Sequence, residues 1–138
     1  MKYLDASAVL RIVFSEPGTS VQLAPGDQAA SSELIEIETN RAVDRERLLG
    51  NLDDRQTAVK RKELADLLAK LDLAPIDRAV VERAKSSFSL NVRALDAIRI
   101  ATAEVLAAEA PGEPIEFWTH DDRQGIAALS RGLTVRGI

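Results

Sequence analysis

The sequence predicts an α/β fold, a parallel sheet flanked by helices, and three observations carry that expectation. Short extended runs alternate with helical stretches along the whole chain, the pattern that crossover connections between parallel strands produce. Two of those runs, near the start and near the end, are followed closely by an aspartate, Asp5 and Asp121. The chain of 138 residues has no internal repeat, low-complexity tract or linker, so a single domain over residues 1–138 is expected.

The first strand is Lys2 to Leu4, and the apolar residues Val9, Ile12 and Val13 continue it as a helix to about Phe14. Asp5 stands at the junction. Glu16-Pro17-Gly18 and Pro25-Gly26-Asp27 break the pattern, and Ala29 to Ser31 supplies a short second strand. A long helix, capped by Ser31 or Ser32, runs to about Leu49 and stops at Gly50-Asn51. The next helix, about Asp53 to Lys70, carries Leu64, Leu67, Leu68 and Leu71 at spacings of three and four, and the two are expected to lie antiparallel. Asp72 to Ile76 reads as a third strand, and Asp77 caps a helix reaching about Phe88. Ser89 to Arg93 connects to a helix from Ala94 to Ala110, which Pro111-Gly112-Glu113-Pro114 ends. Ile115 to Thr119 is a strand, about Arg123 to Ser130 a short helix, and Leu133 to Arg136 the last strand.

Composition narrows the function. Without cysteine there are no disulfides and no thiolate metal sites, which suits a reducing cytoplasm. Asp5 and Arg11 interrupt the apolar run at the N-terminus, so no signal peptide is read there, and no stretch has the length of a membrane span. A cytoplasmic protein that does not enter the membrane is expected. A net charge of −4 disfavours binding nucleic acid by bulk electrostatics, but seven basic residues against four acidic ones between Arg41 and Lys62 leave room for a local basic face.

Four carboxylates sit where solvated carboxylates would not be expected. Asp5 and Asp121 follow strands, where open α/β sheets gather their ligands, although each is also suited to cap the next helix, and Asp122 competes with Asp121 for either role. On the helix beginning near Glu33, Leu34, Ile35, Ala42, Leu48 and Leu49 define an apolar stripe with Glu38 near its middle, while Glu33 and Glu36 face solvent. Glu38 needs a partner, because desolvating an unpaired carboxylate costs on the order of several kcal/mol. Arg41, one turn on, is one choice, and a cation shared with other acids is the other. Asp96 opens a helix that is apolar on almost every side, where Arg99 three residues later is a ready partner. Brought into one cleft, the four would repel one another unless a hard divalent cation lay among them. Oxygen-only ligands select Mg²⁺ or Mn²⁺, and such ions support phosphodiester hydrolysis.

Other chemistries have less support. None of the seven glycines forms a phosphate-binding loop. His120, the one histidine, lacks a nucleophile to activate and reads as a solvated loop residue. Trp118 reads as core or cleft wall.

The stretches Y-L-D-A-S-A-V at 3–9, S-S-E-L-I-E-I-E-T-N-R-A at 31–42, R-A-L-D-A-I-R-I-A-T-A at 93–103 and F-W-T-H-D at 117–121 together resemble the motif blocks of PIN-domain ribonucleases, nearest to the VapC toxins of VapBC toxin–antitoxin modules. The resemblance implies a PIN-like three-layer sandwich and an Mg²⁺- or Mn²⁺-dependent endoribonuclease acting on structured RNA such as tRNA or rRNA. It further implies a homodimer and a VapB-type antitoxin as partner. It assigns the acidic quartet to Asp5, Glu38, Asp96 and Asp121, with Ser7 and Thr119 as supporting hydroxyls. Asp5 and Asp96 would be the main metal ligands, Glu38 a ligand or water-orienting base, and Asp121 a ligand to the same or a second ion. Arg99 departs from the pattern, since many relatives carry histidine there. Arg41 and Arg45, near the face of Glu38, are candidates to contact antitoxin or RNA phosphate.

Two further readings stand beside the ribonuclease. One is a PIN-like module that binds RNA or protein without cutting, which the substituted position Arg99 motivates. The other is a receiver-like signalling domain, which would want paired acids after the first strand and a late lysine, and neither is present.

Overall fold

The computed structural model describes residues 1–138. The chain runs β1 (Lys2–Leu4), α1 (Ala6–Val13), β2 (Ala29–Ser32), α2 (Leu34–Leu48), α3 (Asp54–Leu68), β3 (Asp72–Ala74), α4 (Arg78–Ala84), α5 (Ala94–Glu109), β4 (Glu116–Trp118), α6 (Asp122–Ser130) and β5 (Thr134–Arg136). The five strands form one sheet in the order β3-β2-β1-β4-β5, and every pairing is parallel. From β1 the chain builds outward to β2 and β3, then returns to lay β4 against the other side of β1. Right-handed crossovers in opposite directions put their helices on opposite faces.

Side-chain alternation along the strands produces that layering. Leu4 joins Val9, Ile35, Val43 and Leu64 in a core between the sheet and α1–α3. Its neighbour Tyr3 points the other way, joining Ile100, Phe117, Ala127 and Leu133 beneath α5 and α6. Tyr3 stacks on Phe117 across the β1–β4 pair, with ring centroids 5.2 Å apart. The result is the expected three-layer α/β sandwich with its sheet buried on both faces.

Local chemistry fixes the element ends. Asp53 and Gln56 form a full capping box at the start of α3, and Asp77 caps α4 by accepting the Val80 N–H at 3.0 Å. Leu34 N donates to Ser32 Oγ at 3.3 Å, so that serine serves the start of α2 while still inside β2. Pro75 ends β3 at Ala74, short of the expected Ile76, because proline cannot continue the ladder. The α4 helix stops at Ala84 rather than Phe88, where Ser86 Oγ bonds back to Arg83 O at 2.7 Å and competes with the helix ladder. No helix is long and apolar enough to cross a membrane.

The α2–α3 pair meets one expectation and departs from another. The helices do lie antiparallel: Glu36 and Asn40 near the start of α2 share a groove with Leu64 and Leu68 near the end of α3, and Asp44 further along α2 pairs with Arg61. The apolar stripe on α2 is different from the one expected. Its buried face is Ile35, Thr39 and Val43, whereas Leu48 and Leu49 are 75% and 66% exposed. Thr39 can be buried because its hydroxyl donates to Ile35 O at 2.5 Å within the helix. Glu38 thus lies beside the buried face instead of at its centre. Much of the basic stretch is also internally paired, Arg47 and Arg61 with Asp44, Lys60 with Glu63 and Lys62 with Asp66.

Candidate active site

The strand order reverses between β1 and β4, and the crevice beyond their carboxyl ends is where such sheets bind ligands. Asp5 leaves β1 at that point, 3% exposed. It caps α1 with its carboxylate at the crevice. Its Oδ1 accepts the Ala8 N–H at 3.0 Å and the Ser7 hydroxyl at 2.6 Å, and its Oδ2 accepts the Thr119 hydroxyl at 2.9 Å. Burial pushes the Asp5 carboxyl above the usual carboxylate range, and the bonds from Ser7, Ala8 and Thr119 oppose the push without cancelling it.

The same hydroxyls reach the segment that follows β4. Thr119 Oγ1 accepts the Asp121 N–H at 3.1 Å, and Ser7 Oγ accepts the His120 N–H at 2.7 Å. Asp121 caps α6 by accepting the Gln124 N–H at 3.1 Å, and it is exposed at the mouth of the crevice. Ser7, Asp5, Thr119 and Asp121 therefore form one continuous hydrogen-bonded half of the site.

Arg99 organises the other half. Its Nε donates to Glu38 Oε2 at 3.1 Å while Nη2 bonds Glu38 Oε1, a two-pronged grip on one carboxylate. Its Nη1 donates to Asp96 Oδ1 at 2.5 Å. Glu38 is thus partnered by Arg99, across the cleft on α5, and not by Arg41, which is exposed on α2 and in no ion pair. The Asp96–Arg99 pairing is the one expected. Burial, then the negative charges of Asp121 and Asp5, push the Asp96 carboxyl above its usual range, with Arg93 and Arg123 opposing. Against that push stands the direct bond from Arg99.

Gln124 joins the halves. Its backbone N–H caps onto Asp121, and its Oε1 lies 3.4 Å from Arg99 Nη1, a long contact. It is 2% exposed, and its Nε2 has no partner. Sequence reasoning missed this residue. Its position three residues after Asp121 matches the capping-box spacing, the one signal in the sequence that points to it. Here the side chain faces Arg99 instead of completing the box.

His120 differs from the solvated residue expected. It is half-buried, its Nδ1–H donates to Gly137 O at 2.6 Å, and its Nε2 is enclosed without a partner. The tail after β5 covers it, with Gly137 at φ +96° packed against Thr119. Trp118 is half-buried against the first core, as a core or wall residue should be, and its indole N–H donates to Glu116 at 3.2 Å.

The donor chemistry here fits Mg²⁺ or Mn²⁺ in kind: oxygen ligands only, a buried carboxylate and mutually repelling acids. The spacing does not yet suit one ion, because no group of three acids stands close enough to hold it while Glu38 and Asp96 accept from Arg99.

The family model described as PIN domain matches residues 2–128. The chain is 32% identical to Ribonuclease VapC46 of Mycobacterium tuberculosis over 136 residues, covering 96% of this chain and 94% of that protein. It is 33% identical to Ribonuclease VapC47 of the same species over 130 residues, covering 89% and 86%. Among solved structures, VapBC2 from Rickettsia felis, bound to a DNA fragment from their promoter, shares the fold with a TM-score of 0.66 at 13% identity, over 99% of this chain and 98% of that one. A match over nearly the whole length, with a carboxylate-lined crevice at the sheet's switch point, shows that this chain belongs to the PIN-domain family, in its VapC group.

Proposed function

We propose that this chain is the ribonuclease toxin of a toxin–antitoxin pair, an Mg²⁺- or Mn²⁺-dependent endoribonuclease that cuts structured RNA such as tRNA or rRNA. The observation that supports the proposal is the crevice between β1 and β4, where Thr119 links Asp5 to Asp121, the charges of both act on Asp96, and Arg99 ties Asp96 to Glu38. The ribonuclease names of the VapC46 and VapC47 relatives support the activity. The Rickettsia felis VapBC2 assembly supports a VapB-type antitoxin as partner. A homodimer is part of the proposal, to be read from sedimentation.

Asp5 and Asp96 would hold the metal, with Asp121 at the mouth and Glu38 as a further ligand or as the base that orients water. When bound, a divalent ion supplies an activated water and charge stabilisation for the leaving oxygen. The chain's own residues prepare the crevice for that chemistry. Ser7 and Thr119 fix both Asp5 oxygens, so its carboxylate is oriented before substrate arrives. Arg41 and Arg45 are exposed beside Glu38 and carry no ion pair, leaving them available for RNA phosphate or an antitoxin.

RNA cleavage should require Mg²⁺ or Mn²⁺, stop with EDTA and be lost in Asp5→Asn. Cleavage that persists in EDTA would sink the mechanism. One observation favours a second reading, a module that binds RNA or a partner without cutting: Arg99 already neutralises Glu38 and Asp96. Calorimetry separates the two, since a non-cutting module would bind RNA with no Mn²⁺ uptake.

A further inference from the structure

The structure carries its own cation among the carboxylates. Arg99 lies within α5 and is 15% exposed, as is Glu38, so this is an enclosed contact and not a loose surface pair. One guanidinium spans two acids from different elements, α2 and α5, which are 61 and three residues from it in sequence. A planar fork can do this, whereas a lysine ammonium could not grip Glu38 through two parallel bonds. Glu38 has no other hydrogen-bond donor, and Asp96 has no other ion-pair partner. The two acids held this way belong to the quartet that would otherwise bind metal.

We infer that Arg99 is a built-in competitor for the metal: its guanidinium occupies Glu38 and Asp96, and the ion must displace it to gain those ligands. This rests on the metal-dependent reading above and deepens it by naming the residue that sets metal affinity. Displacement requires little travel. The Arg99 side chain is anchored at its Cα on a helix facing the crevice, and Gln124 Oε1, 3.4 Å from Nη1, offers a neutral acceptor as the carboxylates are released. The same bridge serves the protein between encounters with metal. It offsets the repulsion between Glu38 and Asp96 that would otherwise act within the crevice. A site with such a plug is filled only where divalent ion is plentiful, so activity would follow the concentration of free Mg²⁺.

A partly occupied competitor weakens apparent affinity by the fraction of molecules that are competent. If the bridge is formed in roughly nine molecules of ten, removing it tightens metal binding about tenfold. The experiment is calorimetric titration of metal-stripped protein with Mn²⁺ for wild type, Arg99→Gln, Arg99→Lys and Asp5→Asn. Arg99→Gln should bind about tenfold or more tighter than wild type, with Arg99→Lys between them. A residue with only a structural role would leave affinity unchanged or weaken it on removal. Equal or weaker binding by Arg99→Gln overturns the inference while leaving the metal site intact. Absence of Mn²⁺ binding in wild type and Arg99→Gln alike overturns the metal reading, and the competition with it.

A measurement on wild type keeps the test independent of whether Arg99→Gln folds. The Arg99 Nε–H resonance, assigned by its loss in Arg99→Lys, reports the bond to Glu38. Saturating Mg²⁺ should shift it and speed its exchange with water. An Nε–H that stays bonded while Mg²⁺ binds would show that the ion enters without displacement, and would overturn the inference.

Discussion

Thr119 donates its hydroxyl to Asp5 Oδ2 at 2.9 Å, and its own Oγ1 accepts the Asp121 N–H at 3.1 Å, so one side chain ties together the acids that follow β1 and β4. Valine at this position would keep the shape and remove both bonds. A buried acceptor and a backbone donor would each lose a partner, at a cost of about 1–3 kcal/mol. Thr119→Val should therefore lower the denaturant midpoint without changing the slope of the transition. Its RNA cleavage should fall about tenfold or more as Asp5 loses its fixed orientation. Denaturant unfolding and single-turnover cleavage check the two effects separately.

Asp5 predicts a trade between stability and function. Its folded carboxyl lies above the usual range because of burial. The native state therefore holds that proton after the unfolded chain has released it, and stability falls as pH rises from the ordinary carboxylate range through the folded value. Above the folded value the buried charge is a full liability. Asp5→Asn removes the charge while keeping an acceptor for Ala8 N–H and Ser7, so in EDTA the variant should melt above wild type at about pH 7. The difference should narrow as pH is lowered into the ordinary carboxylate range, as the wild-type group takes up its proton. Thermal melts across that interval check the sign. A variant less stable than wild type at neutral pH would show that the hydrogen bonds to the carboxylate outweigh its burial.

How much of this site was legible depends on sequence distance. Asp5 and Asp121 could be found because both strand ends and helix caps are local patterns, and the structure shows each aspartate capping a helix at the crevice. The right-handed crossover rule then makes the strand alternation sufficient for the layer order. The partner of Glu38 was not legible. Arg41 is its helical neighbour, but at position 41 the side chain turns to solvent, and the actual partner comes from 61 residues away. The buried face of α2 was obscured for a related reason: Leu48 and Leu49 look apolar, but α2 extends past the core at that end and leaves them uncovered. A buried threonine, satisfied by its own helix, took the place a leucine would have marked.

Glu104 is a buried charge on the largely apolar α5. It is 7% exposed and held by Arg131 through two bonds of 3.0 and 2.9 Å and by Arg83 at 3.1 Å. Arg131 also lies 4.7 Å over the Phe88 ring and donates to Ser87 O, closing the loop after α4 onto α5 and α6. Removing one member of a buried pair strands the other, which costs about 3–5 kcal/mol. Glu104→Ala should be destabilised by that amount. Its cleavage per folded molecule should stay near that of wild type, because none of these groups reaches the crevice. Unfolding curves and activity corrected for the folded fraction check both halves.

The chain's end contributes to the site through Gly137. At φ +96° it adopts a conformation that side chains rarely tolerate, and a Cβ there would lie 2.5 Å from Thr119 O and 2.8 Å from His120 Cε1. Gly132 offers a matched control. Its φ is +85°, but a Cβ would meet nothing within 4 Å. Gly132→Ala should therefore show the backbone penalty alone, about 1–2 kcal/mol. Gly137→Ala should cost more than its control by about 1–3 kcal/mol, because the tail must lift away and His120 loses its 2.6 Å bond to Gly137 O. Since His120 N–H and Thr119 both bond into the Asp5 network, the displacement should also reduce cleavage in Gly137→Ala and spare it in Gly132→Ala. Paired unfolding and cleavage measurements check the difference between the two variants. Equal effects in both would mean that the tail covers the crevice wall without supporting it.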